Sequence, residues 1–117
     1  MIKAFHAIIY SRDAEATRAF FRDTLNLPFA DAGGGWLIFA LPPAEIGVHP
    51  TEGDNKHEFS LICDDVVSTV SELKAKGVEF AGGIDDHGWG LVTTMKIPGA
   101  GTIMLYQPRH ASPLNLA

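Results

Sequence analysis

Five histidines and a single cysteine are the side chains of this chain best suited to hold a metal or move a proton. His6 and His57 stand out by placement. Each lies in a strand-like run, Phe5-His6-Ala7-Ile8-Ile9-Tyr10 and His57-Glu58-Phe59-Ser60-Leu61-Ile62-Cys63, and 57 − 6 sets them 51 residues apart. A histidine on a strand is more often structural than a ligand, and the matched positions raise this pair above that default. His49 ends the short run Ile46-Gly47-Val48-His49 before Pro50. His87, in Asp85-Asp86-His87-Gly88, reads as a surface loop residue, and His110 as part of a solvent-exposed tail. Side chains alternate along a strand, so Tyr10 shares a face with His6, and Phe59 and Cys63 share one with His57. Tyr10 and Phe59 then line a pocket or fill a core, Trp36 and Trp89 pack or form a pocket wall, and Cys63 reads as a buried, inert thiol. No phosphate-binding glycine loop, dinucleotide fingerprint, nucleophile elbow or Cys-x-x-Cys is present, so no nucleotide cofactor is expected.

The elements that must position these residues come in two similar series. A strand Ala4–Ser11 leads to a helix capped by Asp13, running to about Leu25 and stopped ahead of Pro28. Weak strand Leu27–Asp31, the turn Gly33-Gly34-Gly35, strong strand Trp36–Leu41 and short strand Ile46–His49 follow. After a polar linker, Thr51–Lys56, the order repeats. It runs as strand His57–Cys63, a helix capped at Asp64-Asp65 and ended by Gly77, then strands Val78–Ala81, Trp89–Ile97 and Thr102–Gln107. Pro98-Gly99-Ala100-Gly101 forms the last tight turn. Trp36 answers Trp89 and Pro50 answers Pro108. The expectation is one α+β domain over residues 1–117: two β-α-β-β-β repeats, about 2–50 and about 57–108, and a tail over 109–117.

At 117 residues the chain fits a single domain. Nine basic against 14 acidic side chains give a net charge of −5, which argues against a nucleic-acid partner. No apolar run reaches the roughly 18 residues of a membrane span, and no signal-peptide pattern is visible. One cysteine permits no intrachain disulfide, so the expected compartment is the cytoplasm.

The order and spacing of several phrases carry a resemblance. They are Phe5-His6-Ala7-Ile8-Ile9, Ala19-Phe20-Phe21-Arg22-Asp23-Thr24-Leu25-Asn26-Leu27-Pro28, His57-Glu58-Phe59-Ser60-Leu61, Gly77-Val78-Glu79-Phe80 and Pro98-Gly99-Ala100-Gly101-Thr102-Ile103-Met104-Leu105-Tyr106. Together they resemble the vicinal oxygen chelate superfamily of glyoxalases, extradiol dioxygenases and bleomycin-resistance proteins. The resemblance implies a cupped, eight-stranded mixed sheet with helices outside, closed around one divalent metal acting as a Lewis acid. It also implies a homodimer. Carried over residue by residue, His6 and His57 match ligands, and the fourth-strand position falls to His49 or Glu45, or to Ile46 and Val48 if the register slips by one. The eighth-strand position, usually glutamate, is Met104, a soft neutral donor poorly suited to hard divalent ions. The implied site is metal ligands His6, His57 and His49, beside a pocket of Tyr10, Phe59, Trp89 and Met104. Two functions follow: a lyase- or dioxygenase-type metalloenzyme on a small oxygenated metabolite, or a metal-free protein that sequesters a drug or metabolite. An accessory dimer without a ligand is the third.

Overall fold

The computed structural model describes residues 6–112 and Leu114. They form two compact units: residues up to Ala44 together with Ile97–Gly101, and residues from Glu45 to Lys96 together with those from Thr102 onward.

The first unit is built on α1 (Ala14–Ala19), where the Asp13 carboxylate accepts from the Ala16 amide at 3.1 Å. The expected single α-helix to Leu25 is interrupted. Phe20–Thr24 is one π turn, closed by the Leu25 amide donating to the Phe20 carbonyl at 3.0 Å. Consecutive residues of an α-helix point about 100° apart, so wider winding helps bury both Phe20 and Phe21. Asn26 then takes a left-handed φ of 54°, which stops the helix two residues before Pro28. Strand β1 (Phe29–Asp31) pairs antiparallel with β2 (Leu37–Phe39), bringing the rings of Phe29 and Phe39 to 6.0 Å and of Phe21 and Phe39 to 5.6 Å. The 98–101 turn docks on the start of α1. Ser11 Oγ donates to the Gly99 carbonyl at 2.7 Å, and Thr17 Oγ1 to the Pro98 carbonyl at 2.6 Å.

The second unit is a helix on a sheet. Its strands are β3 (Ser60–Ile62), β4 (Asp85–Asp86), β5 (Gly90–Lys96) and β6 (Thr102–Pro108), in the order β3-β6-β5-β4. β3 runs parallel to β6, and the other pairs are antiparallel. Helix α2 (Val66–Ala75) makes the parallel connection, its N-terminus held by Asp65 and by Gln107 Oε1, which accepts from the Val66 amide at 3.1 Å. Gly77, at φ 87°, ends it as expected. Val66, Val70 and Leu105 make the core, with Leu61, Cys63, Leu73, Phe80 and Leu91 packed around them. This half reproduces the expected strand, helix and strands. Val78–Ala81, however, contributes only the isolated bridge Phe80–Met95, and β4 lies a few residues later.

Six strands, not the expected eight, are present among the described residues, in a two-stranded and a four-stranded sheet. Residues 6–11 of the expected first strand are not in a strand, and its start lies outside the described residues. Ile46–His49 is not a strand either. The expected His57–Cys63 strand shrinks to Ser60–Ile62. A strand needs a ladder partner to satisfy its backbone, and apolar alternation alone does not supply one. No helix among the described residues is long and apolar enough to cross a membrane.

Candidate functional site

The two faces of the second unit's sheet are set by Leu61, Cys63 and Leu105, which pack into the helix-covered core. Alternation then sends Ser60, Ile62, Met104 and Tyr106 to the opposite face, open in the sense that α2 does not cover it, with Tyr106 and Val92 buried there and Ser60 exposed. Register places Ser60, Met104 and Thr94 side by side in one row. Ile62, Tyr106 and Val92 form the next row. The Met104 row therefore offers a thioether and two hydroxyls, and no carboxylate or imidazole.

The Tyr106 row carries more chemistry. The His110 Nδ1 lies 2.8 Å from the Ala111 carbonyl, which makes that nitrogen the protonated one. Nε2 is then an acceptor, and the Tyr106 hydroxyl donates to it at 3.1 Å. Trp89 packs edge-on against Tyr106 with centroids 5.4 Å apart, and His87 stacks on Trp89 at 5.6 Å. Gly90 lets the Tyr106 ring lie close: a Cβ there would stand 3.0 Å from Cδ2. An Arg109–Asp86 ion pair at 2.7 Å ties the tail to β4. Glu45 takes a hydrogen bond from the Ser112 hydroxyl on Oε2 at 3.3 Å, while its Oε1 is buried without a partner. Burial, and secondarily the charge of Glu45, push the Tyr106 phenol up. Burial likewise raises the Cys63 thiol, in keeping with an inert cysteine. At the edge of this face a shallow depression of about 260 Å³ is lined by Ile62, Cys63, Asp64, Gln107 and Pro108.

His6 belongs to the first unit, and His49 and His57 to the second; all three are exposed and outside any strand. His49 Nδ1 sits 2.7 Å from the Pro50 carbonyl. The two observed helix caps, Asp13 and Asp65, differ by 65 − 13, or 52, which aligns His6 with Glu58 and not with His57. His57, Glu58 and Phe59 precede β3 and are all exposed. Among the described residues no three of His, Cys, Asp and Glu come together as a metal-holding group.

Of the expected pocket residues, Met104 is partly buried on the open face, and Trp89 is 43% exposed beside Tyr106. Phe59 is 45% and Tyr10 89% exposed, neither in a strand. Sequence reasoning did not single out Tyr106 or His110. The signal for Tyr106 was available, since it lies two residues beyond Met104 on the same strand.

A helix-backed, mixed four-stranded sheet, parallel only between β3 and β6, defines a small α+β protein. The family model of the Glyoxalase/Bleomycin resistance protein/Dioxygenase superfamily matches residues 3–103, and the chain belongs to that superfamily. No curated protein matches it. Among solved structures, it is similar to TnmS3, an antibiotic binding protein from Streptomyces sp. CB03234, with 24% identity, 92% of this chain and 99% of that one covered, and a TM-score of 0.62. A superfamily member from Sphaerobacter thermophilus DSM 20745 shares 23% identity over 91% of this chain and 98% of its own, with a TM-score of 0.61. Lactoylglutathione lyase from Agrobacterium tumefaciens shares 16% over 89% and 95%, with a TM-score of 0.59. At these identities the likeness is one of fold.

Proposed function

We propose that this protein binds a small organic molecule without a metal, on the open face of the sheet that carries Met104 and Tyr106. The observation that carries the reading is the row Ser60–Met104–Thr94, where the superfamily's carboxylate position is a thioether flanked by hydroxyls. Such a row can pack and orient an apolar or aromatic ligand, but lacks the negative charge that anchors a divalent ion. An antibiotic binding protein among the similar structures is in keeping with it. We place the protein in the cytoplasm, as a homodimer of one two-repeat domain per chain.

Calorimetric titration with nickel, zinc and manganese tests the proposal. The unmodified protein binds them weakly or not at all, and Met104→Glu strengthens binding by adding one anionic oxygen at the superfamily's ligand position. Tight binding by the unmodified protein would overturn the proposal. It would return His6, His57 and His49 as ligands and restore the lyase- or dioxygenase-type reading on a small oxygenated metabolite.

A further inference from the structure

Trp89, Tyr106 and His110 form a line of touching rings within the second unit. Trp89 packs edge-on to Tyr106 with centroids 5.4 Å apart, and the His110 ring lies 5.8 Å beyond Tyr106. The ends of the line differ from its middle. Trp89 is 43% exposed even with His87 stacked on it, and His110 is exposed, whereas Tyr106 is buried. An oxidant in solution therefore meets the indole and not the phenol. The other end is arranged for a proton. The Tyr106 hydroxyl donates to His110 Nε2 at 3.1 Å, and His110 Nδ1 donates to the Ala111 carbonyl at 2.8 Å, a bond that strengthens if the ring becomes charged. The backbone holds this geometry. The Arg109 and His110 amides both donate to the Trp89 carbonyl, at 2.8 and 3.1 Å, and the Arg109 guanidinium pairs with Asp86 at 2.7 Å. Burial, and secondarily the charge of Glu45, keep the phenol protonated at neutral pH. Tyr106 can then lose an electron at low cost only where a base is in reach, and His110 is that base.

We propose that Trp89, Tyr106 and His110 form a one-electron donor, in which Tyr106 gives its electron through Trp89 and its phenolic proton to His110. A one-electron, outer-sphere oxidant takes an electron from the indole at the surface and leaves an indole radical cation. Tyr106 refills the indole across the ring contact while its O–H bond breaks and the proton moves to His110 Nε2. The products are the reduced oxidant, the restored indole, a neutral tyrosyl radical and an imidazolium. A thiol or an ascorbate then returns one hydrogen atom to the phenoxyl oxygen, and the imidazolium gives its proton to water. In sum, one electron passes from the thiol or ascorbate to the oxidant and one proton is released. The donor needs neither a metal nor a bound ligand, so it goes beyond the binding reading and does not depend on it.

The composition makes the test clean, since the chain has 2 tyrosines and 2 tryptophans. The double variant Tyr10→Phe, Trp36→Phe leaves Tyr106 and Trp89 as the only ones. Tris(bipyridine)ruthenium(III), generated by a light flash, oxidises it, and transient absorption follows the radicals. The indole radical appears first, and the tyrosyl radical rises as it decays. In this background His110→Gln keeps a hydrogen-bond acceptor but no base. It slows the tyrosyl rise about tenfold or more, because a positioned base contributes about 10²- to 10⁴-fold to proton transfer. Trp89→Phe lowers the tyrosyl yield severalfold. Decay of the indole radical with no tyrosyl signal overturns the proposal, as does a rise unaltered by His110→Gln or a yield unaltered by Trp89→Phe. His110 lies in the exposed tail, outside the core, so His110→Gln leaves the fold in place. Should Trp89→Phe fail to fold, the His110→Gln comparison decides.

Discussion

Tyr106 shows how one side chain reports its surroundings. Burial and the Glu45 charge both favour the neutral phenol, so its folded pKa lies above the unfolded value. A raised pKa on such a group contributes stability that is complete below the ordinary phenol value of about 10. That stability is lost as pH rises through the higher folded value, because the unfolded chain then sheds its proton first. Urea midpoints measured between about pH 9 and about pH 11 therefore fall more steeply for the unmodified protein than for Tyr106→Phe. Equal slopes would show that the phenol is as well solvated as a free one. The raised Cys63 thiol acts in the same direction at lower pH, so the comparison is drawn between variants that share it. At this scale the sequence was half legible. Alternation from Met104 leads directly to Tyr106, whereas nothing local says that a tail histidine will return to it. His6 and His57 look equivalent by type, whereas counting from the two helix caps sets Glu58 opposite His6.

Elements were legible where their signals are local. Asp13 and Asp65 cap as expected, and Gly77 stops α2, because capping needs only a side chain and the next three amides. Asp65→Ala should cost about 1 kcal/mol in chemical denaturation. The strands Ala4–Ser11 and Ile46–His49 were not legible, since apolar alternation says that a segment can pair but not that a partner is in reach. The 98–101 turn lies between these cases. Its sequence announces a turn but not its contact with the start of α1. Gly99 has a φ of 77°, and a Cβ there would stand 2.7 Å from the Asp13 carbonyl oxygen, where only backbone movement makes room. Gly99→Ala combines left-handed strain with that collision, and should cost roughly 1–3 kcal/mol. Gly101, also left-handed but with open space around it, is the control. Gly101→Ala should cost less, and an equal loss at both positions would mean that the docking contact adds nothing beyond backbone strain.

On the scale of the whole molecule, the apolar groups left in water argue for a second copy. Ile46 is 82% and Val48 96% exposed, in a segment that takes no strand pairing. Tyr10 at 89% and Ile8 at 49% are in the same condition near the other end of the chain. Single exposed apolar residues are ordinary, but large β-branched side chains this exposed on strand-prone sequence are not. The backbone raises the same point. β3 lies at one edge of its four-stranded sheet, and the two-stranded sheet of the first unit is too small to be stable by itself. Pairing with a second chain would satisfy the unpaired amides and cover the apolar side chains in one step, and a two-fold arrangement would do so for both copies. Light scattering at low micromolar concentration should then give about 25 kDa, twice the 12.6 kDa of the chain. The double substitution Ile46→Lys, Val48→Lys places charge where the partner would pack. It should shift the mass toward the monomer while leaving the helix signal of α2 in place, since neither residue belongs to that core. A clean monomer for the unmodified protein would remove the dimer. An unchanged dimer in the double variant would move the interface away from this segment.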